Sequence, residues 1–166
     1  MRKFPPLLFA MLFGGAAVFI LVLTRQLPEL VAIHFDASGR PNGFTTRERC
    51  RDFMLLSTLG APLLIVIATS LVPRLLPGSM INIPNRDYWL APERARDSLV
   101  FLSEQGIWFG CILVLFLADV DLMLVKANGV SPPAFPSSVF IATMMLFFCA
   151  IALWAMRTFR RFRRPI

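Results

Sequence analysis

Residues 5–24, "PPLLFAMLFGGAAVFILVLT", form an apolar run without a single charged side chain. A helix needs about 20 such residues to cross the roughly 30 Å hydrocarbon core of a bilayer. Because the run is continuous rather than alternating, it predicts a helix and not a strand of a membrane barrel. The basic start, Arg2 and Lys3, also fits a cleaved signal peptide. The run exceeds a typical signal core and no small-x-small cleavage site follows it, so we expect a retained helix.

Three further apolar runs follow, at residues 53–72, 99–125 and 139–156. Hydrophobic residues make up 57% of the chain and charged residues only 16%, against about 25% charged residues in soluble domains. A soluble chain of this length would expose large apolar patches. We therefore predict an all-α integral membrane protein with four transmembrane helices and a short β-type extracytoplasmic loop between helices 1 and 2.

Lysine and arginine are unevenly distributed around these runs. With four crossings, the two termini and the middle loop share one side, which carries eleven of them, while the other side carries six. The positive-inside rule then places both termini in the cytoplasm. A net charge of +7 would suggest nucleic acid for a soluble protein,. Since the basic residues lie beside apolar runs, the predicted partner is the lipid bilayer and no nucleic acid is expected.

The first outer loop contains the only histidine of the chain. Its residues 31–36, "VAIHFD", alternate with strand periodicity, so Val31, Ile33 and Phe35 should share one face of a strand,. Gly39 can adopt a positive φ, and the Asn-Gly pair within residues 40–43 favours a second turn.

The return to the second helix contains capping residues. Either Thr45 or Thr46 can cap this helix, with Glu48 reaching back as in a capping box,. Together these features predict a compact, self-bonded β-type loop on the membrane surface.

The stretch "LPELVAIHFDASGRPNGFTT", residues 27–46, resembles the signature of a small membrane domain of unknown function that begins the bacterial SdpI-like immunity proteins. Ala32 stands where that pattern usually has proline. The pattern is met by Leu27, Pro28, His34, Phe35, Asp36, Gly39, Pro41, Asn42, Gly43 and Phe44. The resemblance implies immunity or signalling in the bacterial cytoplasmic (inner) membrane, by binding of a peptide or membrane partner at the outer loop.

We accordingly divide the chain into four parts. Residues 1–72 form the SdpI-like membrane domain, residues 73–98 a cytoplasmic loop, residues 99–156 a second helical pair, and residues 157–166 a basic cytoplasmic tail.

His34 is the candidate for proton or ligand chemistry near neutral pH. It either ties the loop together or acts in pH sensing or ligand contact. One histidine beside Asp36 falls short of the three or four ligands of a metal site. Asp36, Ser38 and Asn42 either bind calcium or, as we expect, bond turn amides. The candidate binding residues are His34, Phe35, Asp36, Gly39, Pro41, Asn42, Gly43, Asp119 and Asp121.

Asp119 and Asp121 lie late in the third run, on the same side as His34. Two residues apart on a helix, they should point in different directions. Either the helix already reaches the wet interface there, or the carboxylates face a cavity or a partner.

The tail contains five arginines with Phe159 and Phe162 interleaved. We expect the aromatic rings to dip into the interface. RNA binding and a plain topology anchor are the alternatives. The predicted lipid-contacting residues are Arg157, Arg160, Arg161, Arg163 and Arg164.

Enzyme signatures are absent from the sequence. It has no phosphate-cradling glycine loop, Gly-x-Ser-x-Gly or paired-histidine zinc motif,. The three cysteines are expected to be small buried apolar residues. We predict a non-enzymatic protein without cofactor or metal. A transporter or channel-like subunit, working as an oligomer around Asp119, Asp121 or Glu104, is the alternative, and a membrane enzyme with an unusual site ranks third.

Overall fold

Long helices dominate the structure, a computed structural model that describes residues 3–163. Within these residues, four helices are long and apolar enough to cross a membrane. A small antiparallel sheet of two strands lies between the first and second of them. This confirms the predicted fold class. The spans are Phe4–Gln26, Arg47–Ser70, Pro92–Asn128 and Ser137–Arg161.

The elements follow one another with short connections. The strands are β1 (Leu30–Phe35) and β2 (Pro41–Thr46). The helices are α1 (Phe4–Leu23), α2 (Arg47–Leu55), α3 (Ala61–Ser70), α4 (Val72–Leu75), α5 (Arg86–Trp89), α6 (Pro92–Asn128) and α7 (Ser137–Arg161).

A π-helical turn, Leu56–Gly60, joins α2 to α3 within the second span. It precedes Pro62, which lacks the N–H that would bond the carbonyl of Thr58 in a regular helix. Widening the preceding turn accommodates the proline ring without ending the span.

The spans extend beyond the apolar runs that predicted them. α6 contains 37 residues and begins at Pro92, where the missing N–H costs nothing and Glu93 suits the positive helix end,. At 1.5 Å per residue it is about 55 Å long. Apolar runs mark only the part in hydrocarbon, and the polar start of this helix is indicated instead by Pro92 and Glu93.

Helix α6 packs against α1, α3 and α7. A Cβ atom on Gly106 would lie 2.5 Å from the Cβ atom of Thr69 in α3, and one on Gly110 would lie 2.6 Å from Cγ2 of Val66. The Gly-x-x-x-Gly spacing therefore allows the close backbone approach that membrane helices use.

The two ends of the bundle differ in structure. The hairpin β1–β2 and the C-terminal end of α6 lie at one end, which we call the hairpin end; residues 71–91 and 162–163 lie at the other, the tail end. Beneath the hairpin is a buried apolar cluster. It contains Ile20, Leu23, Leu27, Val31, Cys50, Met54 and Val125.

Candidate functional site

The hairpin pairs Ala32 with Phe44 and His34 with Gly43, with register irregularities on both sides of His34. These break the predicted alternation. Ile33 is 44% exposed, whereas Val31 and its neighbour Ala32 are both fully buried. The prediction that Ile33 shares the buried face of Val31 was wrong, because the irregularity turns the strand between Ala32 and His34.

Asn128, the last residue of α6, fastens the hairpin to the bundle. Its Oδ1 accepts a hydrogen bond from the backbone N–H of Ala32 at 2.8 Å, and its Nδ2 donates to the carbonyl oxygen of Ala32 at 2.8 Å. Nδ2 also donates to the carbonyl oxygen of Leu124 at 2.9 Å. One amide side chain thus occupies the edge of β1 as a neighbouring strand would.

The turn at Gly39 is held by the connection between α6 and α7. Gly39 has a φ of +79°, and a Cβ atom there would lie 2.7 Å from the carbonyl oxygen of Phe135. The N–H of Phe135 donates to the carbonyl oxygen of Gly39 at 3.0 Å. The ring of Phe135 also packs against those of Phe35, at 5.2 Å between centroids, and Phe140, at 5.6 Å. Gly39 and Phe35 are therefore packing positions of the hairpin.

Asp36 organises the turn. Its Oδ1 accepts hydrogen bonds from the hydroxyl of Ser38 at 2.7 Å and from the N–H groups of Ser38 and Arg40 at 2.8 and 2.9 Å. The Ser38 hydroxyl, followed by the Arg40 amide, holds the pKa of Asp36 below its usual value because these donors favour the charged carboxylate,. Bonding of turn amides, rather than calcium ligation, accounts for Asp36.

His34 is exposed and its Nδ1 makes a short hydrogen bond with Oδ1 of Asn42 across the hairpin. A Cβ atom on Gly43 would lie 2.9 Å from the Cβ atom of His34, so glycine leaves room for the ring. Pro41 pairs with Phe35 at the end of the ladder. The imidazole is thus tied to the loop while part of it stays accessible.

The start of α2 differs in detail from the prediction. Thr46 is the N-cap, and its Oγ1 accepts from the N–H of Arg49 at 3.4 Å. Glu48 is then the second helical residue, one short of the position that closes a capping box. The capping-box prediction was therefore wrong.

The two carboxylates of α6 do not join the hairpin in one site. Asp121 is 8% exposed, and the hydroxyl of Thr58, itself fully buried in the π-helical turn, donates to its Oδ2 at 2.8 Å. Asp119 is half-buried and accepts a hydrogen bond of 3.0 Å from the hydroxyl of Thr143 on α7. They face different neighbours, as predicted, and Asp121 faces the interior rather than a wet interface.

Asp119 borders three cavities along α6. Their volumes are about 360, 410 and 260 Å³, and they lie towards α1, towards α7 and towards the connection between α6 and α7. In the part of the chain that the structure describes, no three His, Cys, Asp or Glu side chains are grouped to hold a metal ion.

Phe162 lies inside the tail end of the bundle and not at the membrane interface. It is 1% exposed and packs against Trp89 and Phe101, so the prediction that its ring dips into the interface was wrong. Nδ2 of Asn85 donates a hydrogen bond to the carbonyl oxygen of Phe162 at 2.8 Å, which holds Phe162 inside the bundle. The guanidinium of Arg161 lies 4.2 Å from the Trp89 ring centroid.

The predicted lipid contact of the other tail arginines is not tested by the structure. Arg157, Arg160 and Arg163 are exposed, and Arg164 lies outside the described residues. Contact of these four residues and of Arg161 with lipid stays a prediction.

Asn128, Thr58, Thr143 and Phe135 were missed by sequence reasoning. Each acts through a partner far away along the chain, and an Asn before Gly129 resembles an ordinary helix end. The Gly-x-x-x-Gly spacing of Gly106 was a signal that could have been used.

Comparison with known proteins places one match on this region. Residues 11–49 match the family described as Domain of unknown function (DUF1648). The match covers the second half of α1, both strands and the start of α2, and so includes the hairpin. No curated protein and no solved structure matches the chain.

Proposed function

We propose that this protein is a non-enzymatic, multi-pass protein of the bacterial inner membrane that binds an extended peptide or a segment of a membrane partner at its hairpin end. Four helices suited to span a membrane and a folded hairpin between the first two support this reading. The excess of Lys and Arg on the side of the termini favours cytoplasmic ends. The hairpin then faces outwards.

The open edge of β2 carries the proposal. Ala32 directs both its N–H and its C=O to Asn128, away from β2. In an antiparallel ladder this makes Ala32–Phe44 a non-hydrogen-bonded pair, so the N–H and C=O of Phe44 also point away from β1. Outward backbone groups of this kind are the attachment points for an added strand.

The hairpin is held in place before any partner arrives. Asn128 fixes one side of β1, and Phe135 fixes the turn at Gly39. Prior order of this kind reduces the entropic cost of binding. Phe44 is 51% exposed and Ile33 44% exposed, which gives a partner apolar anchors beside the open edge.

The resemblance of residues 27–46 to the SdpI-like immunity proteins supports a more specific role. The DUF1648 match covers the same residues but its description assigns no function. Immunity or signalling by capture of a secreted peptide is the specific role that we propose.

Deletion and complementation test this role. Cells that lack the protein should become sensitive to a secreted toxin peptide in an envelope-stress and toxin screen, and the wild-type chain should restore resistance. Phe44→Pro removes the outward N–H and the aromatic anchor. No bond to β1 is lost, because the N–H of Phe44 points away from β1, and proline is tolerated at such edges. Leu56→Ala, on an exposed apolar position of the second span, is the control.

We expect Leu56→Ala to protect and Phe44→Pro to fail, with both proteins equally abundant in the membrane. Full protection by folded Phe44→Pro would overturn the proposal.

A transporter or channel-like subunit is the second candidate. Its support is the position of Asp119 beside three cavities and the burial of Asp121 against Thr58. Solute or ion flux into vesicles should then fall in Asp119→Asn and Asp121→Asn. Unchanged flux in a working assay would remove this candidate.

A further inference from the structure

A cavity of about 420 Å³ lies at the hairpin end, between the end of α1 and the start of α2. It is separate from the open edge of β2 and from the carboxylates of α6. Its size is within the usual range for ligand sites. The lining residues are Leu21, Thr24, Arg25, Arg47, Glu48 and Arg51.

The lining is strongly basic. Three arginines face one carboxylate, that of Glu48. Arg47 and Arg51 are one helical turn apart, so α2 holds two like charges on one face, which is unfavourable without a counter-charge. Three of the five arginines in residues 25–52 thus meet at one place.

Neighbouring groups neutralise this charge only partly. Arg51 donates to Oδ1 of Asp52 at 2.9 Å, but the Asp52 side chain is 66% exposed, and such exposed pairs are weak,. Nε of Arg47 reaches the uncharged carbonyl oxygen of Pro28 at 3.4 Å. The hydroxyl of Thr24 donates its hydrogen bond to the carbonyl oxygen of Ile20. The cavity therefore retains guanidinium donors for an anion.

The position of the cavity fits the level of lipid headgroups. Arg25 closely follows the last residue of α1, where the first apolar run ends. Arg47 and Arg51 lie in the polar first turns of α2, just before the apolar run at residues 53–72 begins. Leu21 is 46% exposed on the face of α1 that leads into the cavity. Arginine forks match phosphate oxygens in pairs.

We propose that Arg25, Arg47 and Arg51 form a binding site for a phosphate group. The phosphate of an anionic phospholipid, with its acyl chains along α1, and free inorganic phosphate share this chemistry. The experiment below distinguishes these two sources.

Binding is measured on the full chain in detergent, by titration with phosphatidylglycerol, with uncharged diacylglycerol and with inorganic phosphate. The triple variant Arg25→Gln, Arg47→Gln, Arg51→Gln is compared with Arg49→Gln. Arg49 belongs to the same helix but does not line the cavity, and only its backbone N–H bonds Thr46.

An arginine that contacts the bound phosphate contributes about fivefold to the affinity for an anionic lipid, so we expect a loss on the order of 100-fold in the triple variant. Arg49→Gln should bind within about twofold of wild type. Glu48→Gln should bind several-fold more tightly, a gain that misfolding does not produce.

Saturable binding of phosphatidylglycerol, lost in the triple variant, supports the lipid source. Equal, arginine-dependent binding of inorganic phosphate supports the free anion. The proposal is overturned if the triple variant binds both as wild type does, or if Glu48→Gln leaves the affinity unchanged.

Discussion

Asn128 at the end of α6 hydrogen-bonds both the N–H and the C=O of Ala32 in β1, each at 2.8 Å, across 96 residues of chain. One side chain thereby satisfies two backbone groups on an edge that would otherwise be buried without partners. The hairpin and the third span become one unit through this contact.

Replacing Asn128 by alanine should release the hairpin from the bundle. Both backbone groups of Ala32 lose their partner, and unsatisfied buried groups cost about 1–3 kcal/mol each, so we expect a loss of about 2–6 kcal/mol in unfolding free energy. Amide exchange of residues 30–35 in lipid nanodiscs should accelerate. Asn128→Asp keeps the acceptor for Ala32 N–H but turns a buried carboxylate oxygen towards the carbonyl oxygens of Ala32 and Leu124, so it should lose at least as much,. Unchanged exchange in Asn128→Ala would contradict the fastening role.

Gly39→Ala should destabilise the hairpin through both conformation and contact. Its φ of +79° costs a residue with a Cβ atom roughly 1–2 kcal/mol. That Cβ atom would also lie 2.7 Å from the carbonyl oxygen of Phe135. The control is Gly15→Ala, where no atom lies within 4 Å and the change should be neutral or stabilising by about 0.5–1 kcal/mol,. Thermal unfolding in detergent measures both, and equal melting temperatures would refute the comparison.

Asp36 should make the hairpin sensitive to acid. Its folded pKa is below its unfolded value, so its stabilisation is present above the unfolded pKa of about 4 and is lost as the pH falls through the folded pKa,. The protection of the amides of residues 36–40 against exchange, relative to an unfolded chain at the same pH, should therefore fall below about pH 4 in the wild type. Asp36→Asn should remove this acid-dependent step. A wild-type hairpin that is equally protected at pH 3 and pH 6 would show that the carboxylate is not needed.

The spans and the hairpin could be predicted from the sequence because their signals are local. Residues 5–24 are apolar without interruption, and Asn42-Gly43 with Gly39 favours turns whatever surrounds them. The register irregularity at His34 and the contact of Ala32 with Asn128 have no such signal, since Asn128 lies 96 residues away along the chain.

The candidate site was only partly predictable for the same reason. His34 and Asp36 were identified as polar loop residues, and the turn-bonding role of Asp36 follows from its type and position. The partners of Asp119 and Asp121 come from other helices, and neither Thr143 nor Thr58 differs in sequence from an ordinary helix threonine.

Gly106→Ala should disrupt helix packing more than Gly110→Ala. At Gly106 the added Cβ atom meets the Cβ atom of Thr69 at 2.5 Å, and that atom cannot move without its backbone. At Gly110 the nearest atoms are side-chain ends, Cγ2 of Val66 at 2.6 Å and Cε2 of Phe9 at 2.9 Å, which can shift. We expect a loss of about 1–3 kcal/mol for Gly106→Ala and less for Gly110→Ala. Thermal unfolding in detergent checks the order, and the reverse order would count against this packing.

Thr58→Val should destabilise the bundle by about 1–3 kcal/mol, because it keeps the shape of the side chain but removes the donor to the buried Asp121,. Thr143→Val is the matched comparison. It removes a similar donor from Asp119, which is only half-buried and can exchange the lost bond for another polar contact more readily. Adding Asp121→Leu to Thr58→Val should recover part of the loss, since neither polar partner then remains. Unfolding in detergent measures all three variants. If Thr143→Val proves as costly as Thr58→Val, burial does not distinguish the two carboxylates, and the assignment of Asp121 to the interior of the bundle would have to be given up.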